Sequence, residues 1–109
     1  METKAHPGQQ RYQIMASVLK ALAHPARLFI VEELKNGERC VCELQRMIGT
    51  DMSTVSKHLS VLRNVGLVED DKRGNQVFYS LRVPCVLGFL ECTESVLREN
   101  VKKQLEAIR

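Results

Sequence analysis

The sequence predicts a mainly α-helical chain with one small β-hairpin: about five helices, the hairpin lying between the fourth and the fifth. Three observations predict it. Apolar residues recur at helical spacing through most of the chain. Glycine or proline punctuates that pattern at short intervals. Only one stretch, around Val77, Tyr79 and Leu81, alternates with a period of two.

The elements follow in order. Residues 1–10 are polar, contain Pro7 and Gly8, and read as a disordered tail preceding one domain over 11–109. From 11 to 23, Tyr12, Met15, Val18, Leu19 and Leu22 form a helical stripe. His24 breaks it, and Pro25 suits the first position of a second helix. That helix carries Leu28, Ile30, Val31 and Leu34 and ends at Asn36 and Gly37. A short extended stub over 38–42 leads into a third helix over 42–48, stopped by Gly49. Asp51 is placed to cap a fourth helix over 52–64, which Gly66 ends. Two strand candidates, 67–71 and 76–81, are joined by Lys72, Arg73, Gly74 and Asn75. Pro84 opens a long last helix reaching about 108, with Val86, Phe89, Leu90, Val96, Leu97, Val101, Leu105 and Ile108 as its stripe.

The third and fourth helices, joined by a short turn, form a helix-turn-helix, and the hairpin behind them makes it winged. In such a unit the second helix enters the major groove. Ser53, Thr54, Ser56 and Lys57 would present short donors and acceptors to base edges. His58 either bonds a phosphate or braces the helix. Val55, Leu59 and Leu62 are spaced as the core face. Arg63 and, on the wing, Lys72, Arg73, Asn75 and Gln76 would reach phosphate or the minor groove. A net charge of +3 over 109 residues permits nucleic-acid binding without requiring it.

No apolar run approaches the ~20 residues of a membrane span. The first ten residues lack the apolar core of a signal peptide. The expected location is the cytoplasm, with no membrane partner. There, four cysteines read as metal ligands, redox groups or core rather than as a disulfide framework. Cys40 and Cys42 are one residue apart, so their Cα atoms are expected about 5 to 7 Å apart, whether extended or at a helix start. Cys85 and Cys92 share a helix face but sit about 10 Å apart along the axis, too far to chelate one ion together. His6, His24 and His58 are too dispersed for a tetrahedral zinc site.

Four segments together resemble a known family. They are Leu22-Ala23-His24-Pro25-Ala26-Arg27-Leu28, Cys40-Val41-Cys42-Glu43-Leu44, Ser53-Thr54-Val55-Ser56-Lys57-His58-Leu59 and Leu62-Arg63-Asn64-Val65-Gly66-Leu67-Val68. In this order they are similar to the ArsR/SmtB family of metal-sensing bacterial repressors, over roughly residues 12–100. The Cys-Val-Cys-Glu-Leu segment resembles the arsenic-responsive branch. The resemblance implies a homodimer built through the first and last helices. It would bind an inverted-repeat operator in double-stranded DNA and release it when an inducer binds. That branch often carries a third cysteine where this chain has Gln45. Arsenite prefers three sulfur ligands, so the third would come from Cys85, Cys92 or elsewhere, in the same chain or across the dimer. Antimonite, cadmium and lead suit the same thiolates, and no organic cofactor is expected.

Within the same fold the alternative is a redox or persulfide switch coupling Cys40 or Cys42 to Cys85 or Cys92. Outside it, a thiol oxidoreductase fits poorly. The pair is Cys-x-Cys rather than Cys-x-x-Cys, and no βαβ pattern surrounds it. No catalytic triad, paired-acid site or glycine-rich phosphate loop is visible, so no enzyme is expected.

Overall fold

A computed structural model describes residues 8–109. The tail expected over 1–10 lies mostly outside them. Its last two residues are helical, because α1 (Gln9–Leu22) begins directly after Gly8. Gly8 is left-handed at φ 87°, and its carbonyl accepts the first helical bond from Tyr12 N at 3.0 Å. His24 then stands extended, with its Nδ1 accepting from Ala26 N at 3.0 Å. It is thus the cap that starts α2 (Pro25–Glu33), with proline at the first turn. A 3₁₀ turn (Leu34–Asn36) and Gly37 close this segment.

The extended stub is β1 (Arg39–Cys40), followed without a gap by α3 (Val41–Ile48) and, after a short turn, α4 (Met52–Asn64). The hairpin strands are β2 (Val68–Arg73) and β3 (Gln76–Leu81). The second strand has the expected bounds, while the first runs two residues closer to the tip than the sequence suggested, leaving a two-residue turn, Gly74-Asn75, between Arg73 and its partner Gln76. Gly74 alone takes positive φ there (63°), the pattern of a II′ turn whose twist matches the strands. The sheet order is β1-β3-β2, all antiparallel, with Cys40 opposite Phe78.

The core is one cluster in which Ile30, Val31, Leu44, Val55, Leu59 and Leu62 are fully shielded. It joins α2, α3 and α4, and Leu67, Val68 and Tyr79 seal the wing onto it. The predicted core face of α4 is therefore the observed one. The long helix α5 (Val86–Ala107) buries Val86 and Leu90 in the core and packs Leu87 against it. Beyond them it carries Val96, Leu97, Val101, Leu105 and Ile108 in solvent, and α1 likewise exposes Tyr12, Ile14, Met15 and Leu19. No single helix among the described residues is long and apolar enough to cross a membrane.

Candidate nucleic-acid interface and thiol site

The start of α4 is organised by Asp51. The residue occupies the cap position, yet its carboxylate takes no backbone N–H of the helix, contrary to the expected cap. It accepts instead from Ser53 Oγ at 2.6 Å and Thr54 Oγ1 at 2.5 Å, with Thr50 Oγ1 at 3.3 Å. These hydroxyl bonds, Ser53 first, hold the Asp51 carboxyl far below the usual carboxylate range. Ser53 and Thr54, expected to read bases, are thus committed to a local anion. Ser56 is half-buried one turn on, and Lys57 is exposed.

His58 braces the helix, one of the two roles open to it. Its Nδ1 accepts from Arg27 Nε at 3.2 Å, and its ring lies 4.5 Å from that of His24. Burial first, then the positive potential of His24 and Arg27, pushes its pKa below the ordinary value. His24, Arg27 and His58 therefore tie the start of α2 to the middle of α4.

The arginines at the end of α4 and on the wing are engaged. Arg63 bonds Asp70 at 3.0 Å. Arg73 makes a two-pronged pair with Glu38 at 2.6 and 2.8 Å, bonds Asp71 at 2.9 Å, and lies over the Phe78 ring at 4.6 Å. Glu38 and then Asp71 raise its pKa further. Lys72, Asn75 and Gln76 are exposed at the tip. Sequence reasoning missed Glu38, which lies 35 residues from Arg73 and has no local signature.

The thiol pair lies where β1 turns into α3. Cys40 is buried and caps α3: its Sγ accepts from Glu43 N at 3.4 Å, while Glu43 Oε1 accepts from Cys40 N at 3.1 Å. That backbone bond, followed by Arg39, lowers the Glu43 pKa. Arg39 reaches Glu33 at 3.0 Å and Glu43 at 3.3 Å, so the strand before Cys40 is anchored to α2 and α3. The Cys40 and Cys42 Cα atoms are 5.4 Å apart, inside the expected range, and their sulfurs are joined as a disulfide. The expected coupling partners, Cys85 and Cys92, are free and exposed. Among the described residues no three His, Cys, Asp or Glu side chains gather into an ion site. Neither α5 cysteine is therefore brought to the pair within one chain.

A cleft of about 340 Å³ opens beside the pair. Cys40, Val41 and Cys42 form one wall, Met52 and Ser56 of α4 another, and Asn75, Gln76 and Val77 of the wing a third. The thiols, the reading helix and the wing thus share one space. Met52 sits three residues before the core residue Val55, but at 45% exposure it faces the cleft rather than the core. Helical spacing alone assigns it to the apolar stripe and hides that role.

Residues 24–70 match the model of the bacterial regulatory protein, arsR family. The chain is 49% identical over 67 residues to the HTH-type transcriptional regulator NmtR of Mycobacterium tuberculosis, a match spanning 62% of this chain and 56% of that one. Among solved structures it resembles Rv0081 of M. tuberculosis, with 33% identity and a TM-score of 0.78, covering 93% of this chain and 99% of the other. It also resembles the homodimeric winged helix-turn-helix DNA-binding domain of Mb0332 from Mycobacterium bovis, with 29% identity and a TM-score of 0.76, covering 91% and 92%. The similarity extends from the helix-turn-helix through the wing to the flanking helices. This chain belongs to the arsR family of winged helix-turn-helix regulatory proteins.

Proposed function

We propose that the chain is a cytoplasmic, homodimeric transcriptional repressor. It holds operator DNA with α4 and the wing, and it lets go when arsenite or a related thiophilic ion binds Cys40 and Cys42. The observation that carries this reading is the cleft in which the cysteine pair faces both parts of the DNA-reading unit. Family membership supports the DNA-binding role, and the homodimeric relative supports the assembly.

In the reduced chain the two thiols stand close enough for one soft ion to take both, which is the chemistry thiolates supply to such ions. Drawing them together fixes the start of α3, and α3 packs on α4 through Leu44 and Val55. A change there re-aims the reading helix. A coupling of about 3 kcal/mol would lower DNA affinity roughly a hundredfold. Among the described residues no third cysteine joins the pair within one chain, so a third thiolate for arsenite would have to come from the partner chain.

The Cys40–Cys42 disulfide favours a second reading, in which oxidation of the pair is itself the signal. One experiment separates them. Fluorescence anisotropy of labelled operator DNA is followed under a phosphine reductant while arsenite is added, and separately during oxidant addition without reductant. Ion sensing requires release by arsenite under reduction, abolished in Cys40→Ser and Cys42→Ser variants that still bind DNA. Release by oxidant alone supports the redox reading. Normal arsenite release in the double variant overturns the assignment to this pair.

A further inference from the structure

We propose that Met52 is the third sulfur donor of the Cys40/Cys42 site, making a two-thiolate, one-thioether pocket suited to a monovalent soft ion such as Cu(I) or Ag(I). This rests on the reading of the pair as an ion site and names its missing ligand. The observation is the shared cleft. Met52 lines the same roughly 340 Å³ as both cysteines, and among the described residues no other sulfur does.

The softness and small number of the donors point to a low-coordinate soft ion of the Cu(I) type. Two thiolates carry two negative charges, and a thioether adds a soft lone pair without charge. Such a set retains monovalent copper-type ions well. Within one chain a trivalent ion would be left short of a thiolate. The methionine side chain is unbranched and polarizable, so it can swing its sulfur to a partner without moving the backbone. Met52 is part-exposed and belongs to no packed layer, which leaves it free to do so. Val41 and Val77 supply apolar walls, while Ser56 and Gln76 rim the cleft.

The site operates on the reduced pair. A thiol or phosphine reductant supplies two electrons, and two protons complete the thiols as the Cys40–Cys42 bond breaks. The incoming ion then displaces those two protons, and Met52 adds its lone pair with no proton exchange. Because Met52 opens α4, the ion ties the first residue of the reading helix to the first turn of α3.

The test uses the full chain, labelled with selenomethionine and kept anaerobic under a phosphine reductant. Cu(I) is delivered from a chromophoric competing chelator, and coordination is read by X-ray absorption at the copper edge. The wild type is expected to show two Cu–S paths and one Cu–Se path. Met52→Leu preserves side-chain bulk, and its circular dichroism is checked against the wild type. It should lose the Cu–Se path and weaken Cu(I) binding about tenfold or more, since even outer-shell partners of metal sites are worth that much. Unchanged affinity with no Cu–Se path in the wild type overturns the role of Met52 and leaves the cysteine pair standing. Wild-type Cu(I) affinity in Cys42→Ser overturns both.

Discussion

At the scale of single residues, the side chains expected to meet DNA divide into those held by the protein and those left to solvent. His58 belongs to the first group. Its pKa lies below the ordinary histidine value, so the folded state disfavours its proton relative to the unfolded chain. The unfolded state then binds more protons as pH falls below about 6.5. The stability that neutral His58 contributes is complete above that pH and is lost as pH drops through the lower folded value. Urea denaturation at pH 7.5, 6.5 and 5.5 should show the midpoint falling with acid. His58→Gln should flatten the part of that slope due to this residue. Arg73 is held just as firmly, by Glu38 and Asp71. For it to grip phosphate, those pairs must open. Glu38→Gln should therefore tighten DNA binding several-fold at low salt, while Arg73→Ala weakens all sequences alike. Weaker binding in Glu38→Gln would mean that the pair serves only to pin the wing.

At the scale of elements, the glycines set where helices stop. Gly66 ends α4 at φ 83° and turns the chain into β2; Leu67 N donates to Leu62 O at 3.0 Å across that turn. A side chain in this conformation costs about 1–2 kcal/mol. A Cβ there would also meet the tip of the Arg82 side chain at 2.8 Å, a flexible group that can move aside. Gly66→Ala should lower the thermal midpoint by several degrees, with backbone strain rather than the clash as the cause. Arg82→Ala in the same background should recover little of the loss. The two-residue turn at Gly74 has a different consequence. It places Asn75 and Gln76 at the tip and brings Gln76 and Val77 beside the thiols.

At the scale of the whole molecule, α1 and α5 leave too much apolar surface uncovered for a lone chain. Tyr12, Ile14, Met15 and Leu19 on one helix and Val96, Leu97, Val101 and Leu105 on the other are about half exposed. Exposed stripes of this kind mark an interface. Analytical ultracentrifugation at micromolar concentration should give a dimer. Leu97→Glu should shift it to monomer and abolish operator binding, because each half-site needs its own reading helix. A stable wild-type monomer would refute the assembly. The charge distribution also sets the salt response. Among the described residues, Lys57 and Lys72 are the proposed cationic contacts with no carboxylate partner, whereas Arg63 and Arg73 are paired. If only these lysines release counterions, two per chain in a dimer, log affinity should fall with log salt at a slope of about −3.6. A slope steeper than about −6 would mean that the arginines leave their carboxylates to join them.

The order and nature of the elements can be read along the chain, because each rests on neighbours in it. The apolar spacing of Val55, Leu59 and Leu62 made α4 and its buried face. His24-Pro25, Gly37, Gly49 and Gly66 marked its boundaries and those of its neighbours. The Cys-x-Cys spacing set the distance between the thiols. The family resemblance was legible for the same reason, since it rides on short contiguous motifs. Contacts between residues far apart in sequence arise instead from the packing of the elements. Glu38 claims Arg73, Arg27 claims His58, and Asp70 claims Arg63. Met52 and the wing enclose the cysteine pair. A charge or a sulfur carries no periodic signal of its partner. Which one it meets depends on how α2, α4 and the wing stack on the shared core, and only the folded chain sets those distances.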